Sequence, residues 1–580
     1  MKRILFILLS LSISIINAQI YFADEASNIG LTEHTGGSPN GSGLSFADYD
    51  GDGYDDITLA SGDGVPLRFY KNFVGLFFEE TLISPPITYR TRAVNWVDFD
   101  NDGDKDLFVT SDTNGNRLYE KTVTGLINVT ASAGFPLINE FTFGASWGDV
   151  NNDGCLDVYI SNRIINPGPD EITNRFYLNN CDGTFTDATD SSGLTNTPAL
   201  TFCSGFFDLN NDGFQDLYVS NDKFEPNFLY LNTGDGTFED ISTYSGTGVT
   251  MDAMCVTIDD FNSDGFMDIY LTNSASNVSE STIGNIFYKN NGDKTFTDIA
   301  LSSGTFLECL AWGSVFFDAE NDGDLDLYVN CTYDGSVDGS VLSVFYDNMS
   351  DETFTQPQNI GFADSDERSY GNVVGDLNND GKPDIVVMNN YGVAPFVWNN
   401  QTSTTNNYLT IDLEGVTSNK DGIGSVIEIS INGNKQYRHI MCGESYLGQN
   451  SLREIFGLGS SSSVDYVKVK WLSGTEDIFY NVASNQILEI VEGSTLSIEE
   501  FENADKIQVY IKPKDNTVNV SSEEVIRKIE LFNLLGQKIN EYKVNSNSFE
   551  FNTGALTSGI YILNVYTDRF NLSGHKIIRP

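Results

Sequence analysis

Positive charge is scarce in this chain. Its 580 residues hold 32 Lys and Arg against 82 Asp and Glu, a formal charge of −50. Such a surface is repelled by nucleic acid and by anionic membranes, which argues against both as partners. Histidine is scarcer still, with only His34, His439 and His575. His439 and Glu444 are the one conceivable acid/base pair, and packing is the reading kept for both. No nucleophile motif and no phosphate-cradling glycine loop is present. Cys155, Cys181, Cys203, Cys255, Cys309, Cys331 and Cys442 form no CxxC, which argues against zinc. Their odd number leaves at least one unpaired in a monomer. The only long apolar run is Ile4–Ile16, preceded by Lys2 and Arg3 and followed by the small residue Ala18. It reads as a secretory signal peptide over residues 1–18, with no neighbouring cysteine for a lipid anchor and no second segment able to span a bilayer.

What the sequence does have is repetition. An acidic nine-residue loop occurs seven times, as in DYDGDGYDD, DFDNDGDKD and DLNNDGFQD, at intervals of 50 to 59 residues. Position one is Asp48, Asp98, Asp149, Asp208, Asp260, Asp318 and Asp376. Position three is Asp50, Asp100, Asn151, Asn210, Asn262, Glu320 and Asn378. Position five is Asp52, Asp102, Asp153, Asp212, Asp264, Asp322 and Asp380. Position nine is Asp56, Asp106, Asp157, Asp216, Asp268, Asp326 and Asp384, and position six is always glycine. Apolar strands precede each loop, and alternating strands such as DLYVSN and NFLYLNT follow it. Three to four short strands per unit, with Gly/Asp/Asn turns between them, indicate antiparallel sheets.

Seven four-stranded units suit a closed propeller. The start, YFADEASNIGL, is similar to TFTDATDSSGL at the end of a repeat, whereas the seventh repeat lacks that strand. The N-terminal strand is therefore expected to complete the last blade and remove the open edges. Cys203 and Cys255 each lie five residues before a loop and are expected to be neighbours in adjacent repeats.

Like charges at one, three, five and nine repel unless a cation sits among them. Calcium takes six to eight hard oxygen ligands. Side chains at those positions, with a backbone carbonyl at seven, supply most of them. Glycine at six permits the reversal. The pattern begins like an EF-hand but lacks the glutamate at twelve and the flanking helices. Up to seven Ca²⁺ sites are expected. Magnesium fits less well because of its strict octahedral geometry. By ligand charge, the loops at Asp48 and Asp98 should bind more tightly than the loops with asparagine at position three.

The seven units resemble FG-GAP/VCBS repeats, the calcium-loop blades also found in integrin α-subunit heads. That resemblance implies a seven-bladed β-propeller over residues 19–403. Beyond the polar break NNQTSTTNN, residues 404–495 resemble the ASPIC/UnbV module. SNKDGIGS, GESYLGQNS, FGLGSSSSVDYVKVKWLSG and NQIL carry that likeness. DGIGS is read as a hairpin turn. After a linker, residues 496–504, the segment 505–580 resembles the type A sorting domain of the type IX secretion system. The matching residues are Leu534–Lys538 (LLGQK), Leu556, Gly559–Tyr561 (GIY) and Lys576, while YIKPKDN replaces the usual YPNP.

The whole is thus expected to be all-β: a seven-bladed propeller, a small β domain and a C-terminal β-sandwich. The resemblances imply a secreted or outer-surface protein of a Bacteroidota-type bacterium that engages the type IX machinery. Its function is read as a calcium-binding adhesion or binding module for a glycan or a cell-surface protein, without catalysis. The alternative is an extracellular polysaccharide-degrading enzyme with its site on the propeller face.

Overall fold

The structure is a computed structural model. It describes residues 19–163, 173–195, 197–274, 284–332, 343–362, 367–390, 392–495, 508–512, 517–533, 537–554, 556, 559–567 and 572–579. The signal peptide, the linker and Leu534–Gly536 lie outside these residues.

Each acidic loop joins the first two strands of an antiparallel sheet. The inner strands are Leu44–Ala47, Val94–Val97, Thr142–Gly148, Thr201–Phe207, Ala253–Asp259, Ala311–Phe317 and Ser369–Gly375, and they define blades one to seven. In blade four the order runs Thr201–Phe207, Asp216–Asn221, Phe228–Asn232, Phe238–Asp240. Its two inner strands are buried at every residue, whereas the outermost buries only Phe238 and exposes Glu239 and Asp240. This gradient follows from stacking, since an inner strand has neighbours on both faces and an outer one meets water. Aromatic and branched side chains fill the space between blades, as where Tyr159 and Phe176 of blade three meet Phe206, Leu217 and Tyr230 of blade four.

The ring closes as the sequence requires. Phe22–Asp24 pairs with Phe396–Asn400, with Phe22 opposite Asn400, and supplies the outer strand of blade seven. A second device runs around the whole ring. In six blades the third strand carries, at or next to its end, a buried asparagine whose Nδ2 donates to a carbonyl in the preceding blade's loop. Asn179 reaches Phe99 O at 2.8 Å, Asn232 Val150 O at 2.7 Å and Asn290 Leu209 O at 2.9 Å. Asn348 reaches Phe261 O at 3.2 Å, Asn400 Ala319 O at 2.8 Å and, across the closure, Asn72 Leu377 O at 2.9 Å. Blade two uses Lys121, whose Nζ donates to Tyr49 O at 2.8 Å.

Residues 407–491 form two sheets. One is ordered Glu454–Gly459, Asn407–Glu414, Ile487–Val491, and the other Asn434–His439, Val426–Ile431, Ser463–Lys470, Glu476–Ala483. The core of this module is continuous with blades two and three. Leu409, Ile427 and Phe456 share a cluster with Phe108, Trp147 and Val158. DGIGS is not a hairpin turn. It carries the chain from the first sheet to the second, because the strands on either side belong to different sheets. Here Asp421 accepts from the Asp98 amide at 2.9 Å and pairs with Lys105.

Disulfides join Cys155 to Cys181 and Cys309 to Cys331. Cys203, Cys255 and Cys442 are buried free thiols. Cys203 and Cys255 interact across blades four and five, as their spacing suggested.

The C-terminal unit is separate. Gln508–Lys512, Thr517–Asn533, Gly559–Thr567 and Leu572–Arg579 form a sheet in that order, and Lys538–Asn552 also pairs with Thr517–Asn533. Val518, Ile529, Leu531, Phe551 and Leu563 make its core.

Candidate metal loops and the plugged channel

All seven loops share one geometry. The position-one carboxylate accepts the amides of positions five and six. For Asp98 these are Asp102 N at 3.0 Å and Gly103 N at 2.8 Å, and for Asp376 they are Asp380 N at 3.1 Å and Gly381 N at 2.6 Å. The position-five aspartate caps the amide at seven, as Asp212 does for Phe214 N at 3.1 Å. The position-nine aspartate joins the loop to the third strand: Asp216 accepts Leu209 N at 2.9 Å and Asn232 N at 2.8 Å. Glycine at six has φ between 80° (Gly381) and 105° (Gly323) in the seven loops, a region other residues avoid.

These contacts bring positions one, three and nine together. In Asp48/Asp50/Asp56, Asp98/Asp100/Asp106 and Asp318/Glu320/Asp326, one oxygen from each residue lies within 4.8 Å of the other two. Asp52, Asp102 and Asp322 stand outside these triads. In the asparagine loops Nδ2 of position three donates to position five, as from Asn151 to Asp153 at 2.9 Å and from Asn210 to Asp212 at 2.9 Å.

Burial makes the acid clusters costly. It raises Asp56 to about 8, Asp98 to about 7, Asp106 to about 9 and Asp149 to about 7, and neighbouring carboxylates add to the shift. Glu320 rises to about 9 from the same causes. Asp157, Asp216, Asp268, Asp326 and Asp384 are pushed far above the usual range, with burial first among the causes. Three carboxylate oxygens of the loops, Asp50 Oδ1, Asp268 Oδ2 and Glu320 Oε2, are buried without a hydrogen-bond partner. Converging acceptor-only oxygens, unmet lone pairs and uncompensated charge fit a hard dication.

Position four is a structural residue that ligand spacing alone does not reveal. Its backbone is left-handed in every loop, and where it is asparagine the side chain bridges to the next loop. Asn101 donates to Gly154 O at 2.8 Å, Asn152 to Gly213 O at 2.9 Å and Asn211 to Gly265 O at 2.8 Å. Asn321 donates to Gly381 O at 2.9 Å and Asn379 to Gly53 O at 2.9 Å. Ser263 and Gly51 hold the place in the fifth and first loops.

The ASPIC/UnbV-like module sits on this ring and fills the channel it surrounds. The residues involved are Cys442 and those of GESYLGQNS. Trp147 N donates to Cys442 O at 3.0 Å, and Ser445 N to Val256 O at 3.2 Å. Ser445 Oγ donates to Ser314 O at 3.1 Å and Asn372 O at 3.2 Å. Gly448 and Gln449 add a parallel strand to Leu44 and Ser45. The Gln449 side chain exchanges two 2.7 Å bonds with the Trp96 backbone. Ser451 N donates to Val374 O at 3.0 Å. Tyr446 is wholly buried, 5.6 Å from Phe202 and 5.0 Å from Trp312 between ring centroids, and its hydroxyl donates to Asn40 O. All seven blades therefore touch this plug. A Cβ on Gly443 would fall 2.1 Å from Ala145 O, so only glycine fits there. His439 and Glu444 are buried in this region. Burial lowers the first to about 4 and raises the second to about 7.

The module covers the loops unequally. Arg453 donates to Gly53 O at 2.6 Å and Ser451 to Asp55 at 2.6 Å, over loop one. Lys420 N donates to Asn101 Oδ1 at 3.0 Å over loop two. A Cβ on Gly154 of loop three would meet Thr417 O at 2.5 Å. Over loop six, Asn406 donates to Glu320 O at 3.0 Å and Gly459 N to Asn321 O at 2.9 Å. A Cβ on Gly381 of loop seven would strike the Tyr408 ring. Loops four and five face an open cleft of about 470 Å³, and loops one and two border another of about 340 Å³.

Three protein-family models match this chain. The FG-GAP-like repeat matches residues 48–109, 98–160 and 208–271, ASPIC and UnbV matches 415–497, and the secretion system C-terminal sorting domain matches 508–579. Cartilage acidic protein 1 of Xenopus tropicalis is 27% identical over 273 residues, 46% of this chain and 40% of that protein. The match thus spans less than half of that relative. The human protein of the same name is 23% identical over 501 residues, 78% of this chain and 71% of its own. A solved lectin of Agrocybe aegerita, described as recognising non-reducing terminal N-acetylglucosamine, is 18% identical. The match covers 57% of this chain and 82% of the lectin, at a TM-score of 0.35 that carries no argument about ligand. Among the described residues no helix is long and apolar enough to cross a membrane. The sorting domain marks secretion to the outer surface in Bacteroidota. The chain thus carries segments that match FG-GAP-like repeats, an ASPIC and UnbV module and a sorting domain that marks the outer surface, and it is similar to cartilage acidic protein 1.

Proposed function

We propose that this protein is a calcium-loaded binding module, released or held at the cell surface, whose partners are glycans or cell-surface proteins. The observation that carries the reading is the convergence of acids at positions one, three and nine in buried, mutually repelling triads. A dication relieves that repulsion and, by binding only the folded state, stabilises it. With the ring rigid, the exposed edges of the loops and the module become a fixed contact surface. The filled channel supports binding over a hydrolase centred there, because Cys442–Ser451 occupy the space such a substrate would need.

The test is retention of the mature protein on a polysaccharide panel and on whole cells, in ~1 mM calcium and in chelator. Calcium-dependent retention with no released product is expected. Released oligosaccharides would make this an enzyme and contradict the proposal.

A further inference from the structure

We infer that Glu444 is a proton-dependent latch for the plug: neutral, it lets Cys442–Ser451 seat in the channel, and ionised, it loosens them from it. Neither state requires a bound cation.

A cavity of about 80 Å³ lies where the module meets blades five, six and seven. It has room for several waters at about 10–15 Å³ each. Glu444 and Arg438 line it, and they are only 5% and 4% exposed. Glu444 Oε1 accepts Asn450 N at 3.3 Å, and its Oε2 is buried with no hydrogen-bond partner. Arg438 Nη1 donates to the Tyr437 carbonyl at 2.7 Å, and its Nη2 has no partner. Among the described residues neither side chain forms an ion pair.

The charges around Glu444 do not compensate it. Blade five presents Cys255 and Asp259, and blade six presents Asp318. Blade seven lines the cavity with Val374, Gly375 and Pro383, which do not titrate. The module adds Arg438, His439, Cys442, Arg453 and Glu454. His439 is neutral, because burial lowers it to about 4. Arg453 pairs with Asp412 at 2.8 Å, and Arg438 acts on the half-buried Asp259 and Glu454. An ionised Glu444 is thus a buried charge without a partner, which is strongly unfavourable. The neutral acid avoids that and turns a donor toward the cavity.

Burial accordingly raises Glu444 to about 7, from an ordinary value of 4.5. The stability it contributes is complete below about 4.5 and is lost as pH rises through about 7. The plug bears that loss, because Glu444 stands between two anchors. Gly443 packs against Ala145, and Ser445 bonds to blades five, six and seven.

Two buried thiols report on the plug. Cys255 Sγ lies 3.9 Å from Ser445 Oγ, and the Cys442 carbonyl accepts Trp147 N at 3.0 Å. The test uses the full mature chain in ~1 mM calcium. Maleimide labelling of Cys255 and Cys442 is followed by mass spectrometry at about pH 5.5 and about pH 8.5, and each rate is compared with that of the urea-unfolded chain at the same pH. The expected result is protection at least about tenfold weaker at the higher pH in the wild type. Glu444→Gln is expected to keep its protection at both. Glu454→Gln, at a half-buried acid of the same cavity, is expected to lose protection as the wild type does. Bound calcium, counted in parallel, is expected not to fall. Equal protection of the wild type at both pH values overturns the inference. So does the same loss in Glu444→Gln, removal of the loss by Glu454→Gln alone, or a loss that follows departing calcium.

Discussion

Loop one and loop six each carry five acids in nine residues, Asp48, Asp50, Asp52, Asp55 and Asp56 against Asp318, Glu320, Asp322, Asp324 and Asp326. Their surroundings differ. Lys71 pairs with Asp50 and lies 3.3 Å from Asp52, and Arg453 lies 3.6 Å from Asp48 and donates to the loop backbone. Among the described residues no lysine or arginine forms an ion pair with an acid of loop six. Glu320 there rises to about 9 and Asp324 to about 8, through burial first and the neighbouring charge of Asp322 second. Counting charge places loop one among the tightest sites. Counting what already neutralises that charge places loop six, and loop two after it, above loop one.

The largest effect expected is on the whole ring. Chelation should lower the unfolding midpoint sharply, since a site held at 100 times its Kd contributes ~2.7 kcal/mol. Calorimetry in calcium and in EGTA checks this, and equal midpoints would break the comparison at its root. Tyr446→Ala should cost ~3–5 kcal/mol, the range for a large ring lost from a core. It should also loosen Arg453 and so bring loop one closer to loop six, as urea unfolding combined with calcium titration would show.

Glu320→Gln should weaken one calcium site yet raise stability in chelator by ~1–3 kcal/mol, because Glu320, raised to about 9, must take up a proton to stay buried and glutamine need not. If stability in chelator falls instead, loop six is not the strained one. Lys71→Ala should do the reverse, tightening a single site severalfold in a calcium titration with little change in stability.

The smallest effect concerns pH. The loop acids have folded pKa values raised to about 7, 8 or 9, above the unfolded value of about 4. Between those limits the cation-free folded state binds more protons than the unfolded one, so its stability falls as pH rises from about 4 to about 9. Calcium needs the deprotonated acids, so its stabilisation should grow over the same interval. Melting curves at pH 5 and pH 8, with calcium and with chelator, should therefore slope in opposite directions.

Much of this was legible in the sequence because it repeats. Seven loops in register give seven blades, and a stray terminal strand similar to TFTDATDSSGL gives the closure at Phe22–Asp24. The plug was not legible. GESYLGQNS reads as a loop of one domain, and its seating depends on polar channel residues of another, such as Ser146, Ser314 and Asn372. A trace of them exists: a polar side chain stands three or four residues before each loop, inside an otherwise apolar strand. Position four leaves no mark in the ligand spacing, because its asparagines turn away from their own loop. Their work is between loops. Lys71 lies on the third strand, fifteen residues past the end of its loop, so its pairing needed the fold.

The most direct test is the calcium stoichiometry of the full mature chain by equilibrium dialysis with elemental analysis, with unfolding followed on the same samples. Several ions per chain, up to seven, with stability rising as they bind, is the result expected. A chain that binds none and melts identically in chelator would contradict the account.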